Sequence, residues 1–380
     1  MTTGIPTSQH PGGADPGGPE HPFGPAPVEP AEQRARAVSW QGVRTVLVLE
    51  LRQRVRSTRW KVALVAFFVL VGVVSILLHQ ALTTVGGAPG SRFVYELILM
   101  FVLGLGLLVT PTLSSTAING DRQAGTLAIM QITKLSPVDL ALGKLLAGWF
   151  AALSFLAVSM PFLIWSWVLS RTGIGRLALA LVVLALLLVV VCAVSLGFSA
   201  LTNRPAGSTV LSYLTVGTLS ILCLVLFGLT FPLITQEREV QVYTVPFAQA
   251  EDARCRWETH LQSVSDTDRT WWLLAVNPFV ILADSAAPSI DPADRHSSEG
   301  PLGAIRGAVQ LAREGPSAQV DQCWSGNYGP DAPEPPALSQ TPHWPWGLGL
   351  HLLLGAGGLT LAIRRLAVPY RTLSRGARVA

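Results

Sequence analysis

Residues 177–198, LALALVVLALLLVVVCAVSLGF, contain no charged side chain. At 1.5 Å rise per residue, a helix of this length crosses a hydrocarbon core of ~30 Å. It has no polar face to turn toward water, so it does not fit the surface of a soluble domain. Five more runs behave alike, and the predicted spans are residues 62–82, 93–115, 145–169, 177–201, 209–234 and 345–363. The last, WGLGLHLLLGAGGLTLAI, is the weakest, being rich in glycine and carrying His351. Within hydrocarbon every backbone polar group must be satisfied internally, which selects helices. Composition agrees. Only 13% of the 380 residues are charged, against roughly 25% in a soluble domain, and the mean hydropathy is +0.45. The expected fold class is an all-α integral membrane protein with six transmembrane helices.

Basic residues orient the chain. Arg44, Arg52, Arg54, Arg56, Arg59 and Lys61 precede the first span. Arg122, Lys134 and Lys144 follow the second, Arg204 the fourth, and Arg364, Arg365, Arg371, Arg375 and Arg378 the sixth. The short loops on the other side hold only Arg92, Arg171 and Arg176. The positive-inside rule then places both termini in the cytoplasm, in a multi-pass chain of a bacterial cell membrane. This flanking pattern accounts for the net charge of +4, so the partner implied is the lipid bilayer and not nucleic acid. Trp60, Trp149, Trp165, Trp167, Trp344 and Trp346 fall at predicted span ends, where amphipathic rings prefer to sit. Residues 1–36 are rich in Pro and Gly without an apolar period, as expected of a disordered cytoplasmic tail. Residues 364–380 form a short basic tail.

Two segments beside the spans have structure of their own. In residues 37–61, Val43, Leu47, Leu51 and Val55 recur at i, i+4, arginines occupy other faces, and Glu50 is spaced to pair with Arg54. An amphipathic helix lying in the inner interface is the reading taken, against a plain basic flank. Residues 235–343 form a large extracytoplasmic loop. From Gln236 to His343 it holds fifteen acidic residues and seven arginines. Inside it WWLLAVNPFVILAD is apolar but too short to cross, and it breaks at Asn277-Pro278. A re-entrant helix pair and a buried segment of a small outer domain both fit. Cys255 and Cys323 lie in this loop and are candidates for one disulfide, whereas Cys192 and Cys223 lie mid-span.

Catalytic patterns are missing. G-x-x-x-x-G-K-[ST], H-E-x-x-H and G-x-S-x-G do not occur. His260, His296 and His343 are scattered among carboxylates of the outer loop. Glu96, a few residues into the second span, is the one candidate path residue, at a depth where it is expected to reach interface water.

The remaining feature is the polar gap 116–144 between the second and third spans. Pro111 is expected to kink the second span, and Asn119-Gly120 to end it. A short helix is predicted from Asp121 to about Ile132, with its acid at the favourable end of the dipole. Leu127, Met130 and Gln131 fall on nearby faces of it. Ser136-Pro137-Val138-Asp139 then reads as a capping box with Pro in the first helical position, so the third helix starts before the membrane and carries Lys144 to its surface.

The run DRQAGTLAIMQITKLSPVDLALGKLLAG resembles the signature of type-2 ATP-binding-cassette exporter permeases. In that family an acidic-Arg-acidic-x-Gly-Thr-Leu run follows the second span, then Leu-Ser-Pro, then Gly-Lys-Leu-Leu at the third. Here the residues are Asp121, Arg122, Gln123, Gly125, Thr126 and Leu127, then Ser136 and Pro137, then Gly143 and Lys144. Gln123 departs from the pattern, since an acid is usual there. The resemblance implies that these residues, with Met130, couple the chain to a separate ATP-binding subunit. It also implies a second permease, identical or not, and ATP with Mg on the partner subunit, with no cofactor on this chain and no ATPase of its own. Gly104, Gly106 and Gly197 would allow close helix approach. Two alternatives remain: a scaffold or sensor that binds an ATPase without transport, and a membrane enzyme with a catalytic outer loop.

Overall fold

A computed structural model describes residues 38–84, 91–127, 135–245, 255–287, 300–323 and 341–367. The expected tail 1–36 lies outside the described residues, as do residues 368–380 of the expected basic tail 364–380, whose first residues continue the last helix. Among the described residues, six helices have the length and apolarity to cross a membrane. They are α2 (Thr58–Thr84), α3 (Ser91–Ser114), α5 (Pro137–Ser170), α6 (Ile174–Leu201), α7 (Pro205–Ile234) and α11 (Trp344–Leu366). Before them runs α1 (Trp40–Arg56), and between α3 and α5 a single turn, α4 (Asn119–Gln123). One end of the bundle carries α1 and α4 and is called the basic end. The other carries the described residues between 235 and 343.

The bundle is built around α6. Leu184, Leu187, Cys192 and Leu196 on this helix are buried, and its neighbours are α3, α5, α7 and α11. Its contact with α11 is backbone to backbone. A Cβ on Gly197 would stand 2.7 Å from Gly358 O, and one on Gly358 would stand 2.7 Å from Ala193 O. Without a water-driven force between helices, such glycine contacts raise the packing attraction by letting two backbones meet. Gly106, as expected, leaves room for Leu188, whereas a Cβ on Gly104 would lie 3.8 Å from Phe279 in ordinary contact. The outward faces of α2 and α7 remain apolar and exposed, with Val65, Val69, Leu214 and Leu229 among them. A soluble protein does not leave patches of this extent uncovered, whereas hydrocarbon covers them at no penalty.

The far end adds one small sheet to the helical body. Three strands form a sheet in the order β2-β1-β3, with β1 (Thr235–Thr244) antiparallel to β2 (Arg256–Ser265) and parallel to β3 (Gln319–Asp321). Tyr243, Val245 and Trp257 pack around the disulfide joining Cys255 and Cys323, the pair singled out from the sequence. The apolar stretch becomes α8 (Trp272–Ala275) and α9 (Pro278–Ala286), a helix pair broken at Asn277. At its turn, Asn277 caps α9 through Phe279 N (2.8 Å) and donates to Ser220 O (2.8 Å), midway along α7. Helix α10 (Pro301–Glu314) lies over α9.

The α6–α11 contact generates a test. Gly358→Val forces two backbones apart. Overpacking a core commonly costs 1–3 kcal/mol, and with backbone on both sides a loss of about 3 kcal/mol is expected. Urea or SDS unfolding in micelles measures it, with Gly357→Val, which meets open space, remaining near wild type.

Candidate functional site

Helix α1 starts at Ser39, whose Oγ accepts from Gly42 N (3.3 Å). It packs along the first turns of α5 as a ladder with one rung per helical turn. A Cβ on Gly42 would meet Asp139 Oδ2 at 2.9 Å, and one on Gly143 would meet Val46 Cβ at 2.6 Å. Glu50 then pairs with Lys144 (2.6 Å), and Arg54 Nη1 donates to Ala147 O (2.8 Å). The buried stripe is therefore Gly42, Val43 and Val46, while Val55 of the expected apolar stripe is 60% exposed.

Asp139 joins the two helix starts. Its Oδ2 accepts from Ser136 N (3.1 Å), and Ser136 Oγ accepts from Asp139 N (3.1 Å), completing the predicted capping box below Pro137. Its Oδ1 accepts from Ser39 N (2.8 Å), so one buried carboxylate caps α5 and anchors α1. Helix α5 thus begins about two turns before the predicted apolar span, as the cap required.

Lys144 is buried at the basic end. Its side chain is 1% exposed and lies between the carboxylates of Glu50 and Asp121. Glu50 was expected to pair with Arg54, four residues on. A buried ammonium is the stronger claimant, and Arg54 turns instead to the carbonyls of Ala147 and Leu113. Burial pulls the Arg54 guanidinium below its ordinary value, with Glu50 opposing the shift. Asp121, read as a contact for a partner subunit, is therefore engaged inward.

Asn119-Gly120 does not simply break the helix. Ile118 N and Asn119 N donate to Ser199 Oγ (3.0 and 3.2 Å), and Asn119 Nδ2 donates to Ser208 Oγ (2.8 Å). Ser208 Oγ donates to Ser115 O (2.6 Å). These contacts hold α4 against the end of α6 and the start of α7. Of the predicted helix 121–132, residues 121–127 are described and 128–132 lie outside the described residues. One turn, Asn119–Gln123, ends at Gly125, whose φ of 72° favours glycine. Thr126 and Leu127 start another helical segment, Leu127 is buried, and Met130 lies outside the described residues. Residues Arg122–Thr126 form an exposed tip. Arg122 and Gln123 reach Asn203 Oδ1 and Asn203 O (both 3.3 Å) on the link between α6 and α7.

A second polar cluster lies at the opposite end. Glu96 is 2% exposed and accepts from Leu302 N (2.8 Å) and Gly303 N (3.3 Å), capping α10. It does not reach interface water, because the N-terminus of α10 covers it. Asp284 on α9 accepts from Trp344 N (2.7 Å), capping α11, and pairs with Arg306 of α10 (3.3 Å). His343 Nδ1 lies 3.1 Å from Arg313 Nη1, which makes it the acceptor in the neutral ring. Burial pulls the His343 imidazole below its ordinary value; Asp284 opposes this, and Arg313 and Arg306 reinforce it. Of the other loop histidines, His260 pairs with Glu258 on the exposed sheet, and His296 lies outside the described residues.

Trp149, expected at a span end, sends its indole N–H to Ala185 O within the bundle (2.9 Å). Sequence reasoning missed Ser199, Ser208 and Asn203 as anchors of the loop. Small polar residues at helix ends carry no signal of their own until the fold supplies the partner. No family model matches the chain, and no curated protein matches it by sequence.

Two tests follow from this geometry. Lys144→Met leaves Glu50 and Asp121 facing each other and is expected to lower stability by about 2–3 kcal/mol, given their partial exposure. Unfolding in micelles reads this, and limited proteolysis cuts faster near residue 122. For His343 the folded value is depressed, so the unfolded chain takes up a proton first as pH falls. The contribution of His343 is complete above pH ~6.5 and is lost as pH falls through the folded value. His343→Gln should flatten the acid side of a melting-temperature profile.

Proposed function

We propose that this chain is the membrane-spanning permease subunit of a type-2 ATP-binding-cassette exporter. It pairs with a second permease, identical or not, to form the path. A separate ATP-binding subunit, which carries the ATP and Mg, drives it. Both termini and the tip Arg122–Thr126 lie on the cytoplasmic side in this reading, and the disulfide-bearing loop lies outside. Flanking arginines support that orientation, as does a disulfide, which persists in oxidising compartments.

One observation carries the reading: an exposed tip is tied by buried polar contacts to four helices. Lys144 and Asp121 link it to α5, and through Glu50 to α1; Ser199 and Ser208 link it to α6 and α7. Helices are stiff, and breaking a buried charge pair is expensive. A push on the tip is therefore delivered to several spans together, which is what a chain lacking its own phosphate-binding loop requires. Arg122, Gln123 and Thr126 present the docking face, together with the neighbouring Asn203. Asp121, Gly143 and Lys144 hold that face in place from behind.

Co-purification with the ATP-binding subunit tests this assignment. Arg122→Glu reverses an exposed charge and should reduce co-purification at least about tenfold, equivalent to ~1.4 kcal/mol, while insertion stays normal. Gly125→Pro, which cannot hold φ at 72°, should do the same. Undiminished complex with both variants would remove the docking role. Complex formation without ATP-driven transport in vesicles would favour a scaffold.

A further inference from the structure

We propose that the bend between α1 and α2 is a binding site for anionic phospholipid headgroups, formed by Arg52, Arg56, Arg59 and Lys61. This stands whether or not an ATP-binding subunit docks at the loop, and it requires only that α2 crosses the membrane.

Charge is the first argument. Glu50 is the one acidic residue between positions 38 and 84, and its carboxylate is turned inward to Lys144. Arg54 is likewise turned inward, to backbone carbonyls. Arg52, Arg56, Arg59 and Lys61 all belong to exposed residues. Among the described residues no ion pair or side-chain hydrogen bond engages them. Arg52 and Arg56 are one turn apart on α1, and Arg59 and Lys61 follow immediately beyond the non-helical Ser57. Four uncompensated cations therefore crowd about one bend.

Position is the second argument. Trp60 stands among them, packed edge-on against Phe155 with ring centroids 5.2 Å apart. The exposed apolar face of α2 begins directly above, at Val62 and Val65. Where an apolar outer face starts at a tryptophan, headgroup phosphates lie at the same level. Long basic side chains there place their charge among phosphates while their stems cover apolar surface. Each such charge near an anionic surface contributes ~1 kcal/mol, a factor of about five in occupancy.

The consequence reaches the loop. Helix α1 is fixed to α5 along one side by Gly42, Val46 and Glu50. Phosphates at Arg52 and Arg56 would hold its other side, so anionic lipid would set the resting position of the unit that carries Lys144 and Asp121.

The test uses the full chain in phosphatidylcholine vesicles doped with a photoactivatable phosphatidylglycerol, with adducts mapped by peptide mass spectrometry. Adducts are expected to concentrate in residues 52–62. Arg56→Gln with Arg59→Gln should reduce them about twenty-fold, following the fivefold per charge above, whereas the Lys pair at these positions should retain them. Arg364→Gln with Arg365→Gln, the same charge loss at another exposed site, should leave them within about twofold. Raising salt should reproduce the loss in the unaltered chain, a check that needs no variant to fold. Labelling that is equal with a photoactivatable phosphatidylcholine, insensitive to salt, or unchanged in the Gln variant would overturn the proposal. So would displacement of the label by a purified soluble ATP-binding subunit, since the face would then serve protein docking.

Discussion

A lysine ammonium removed from water between two carboxylates is the constraint on which the basic end depends. Lys144 belongs to a long apolar helix, Glu50 to the helix that precedes the first span, and Asp121 to the turn after the second. None is close to another in sequence. A buried cation without partners would be several kcal/mol out of balance, so the three segments must converge. That requirement explains the neighbouring residues. Gly143 and Gly42 have no side chain because α1 has to come close enough for Glu50 to reach, and Asp139 fixes both helix starts in the register that aligns the rungs. Lys144 sits at the buried centre of the unit so formed, and Arg122–Thr126 form its exposed tip.

The opposite end is organised by the same physics with different parts. Carboxylates cap helix N-termini: Glu96 caps α10, and Asp284 caps α11 while pairing with Arg306. A carboxylate meeting backbone N–H groups and the positive end of a helix is stable out of water. These caps bind the α8–α9 pair and the overlying helix to the long helices. Between the two polar ends, glycine lets α6 and α11 touch, and the remaining outer faces are apolar.

Sequence legibility followed the range of each interaction. Six apolar runs announce six helices because the signal is contained within each run. The capping box at Ser136 and Asp139 was equally local, and it correctly placed the start of α5 ahead of the apolar span. Glu50 shows where local reasoning fails: an i, i+4 arginine was the nearest partner in sequence, but a buried ammonium ninety-four residues away outcompetes it. Glu96 failed for a related reason, since its cover comes from a helix 206 residues on. The sheet went unread because its strands are mostly polar. Alternation in EVQVY, with Val240 and Val242 buried, was the available cue. The loop was recognised as important, but the division of labour within it, Asp121 inward and Arg122 outward, needed the fold.

The most direct measurement places a photoreactive amino acid at Gln123 in living cells and identifies what it captures. The account predicts an adduct with a cytoplasmic chain containing G-x-x-x-x-G-K-[ST], formed in the native membrane and lost when that chain is absent. No adduct with any such protein, together with labelling of a cysteine at position 123 by a membrane-impermeant reagent outside intact cells, would contradict it.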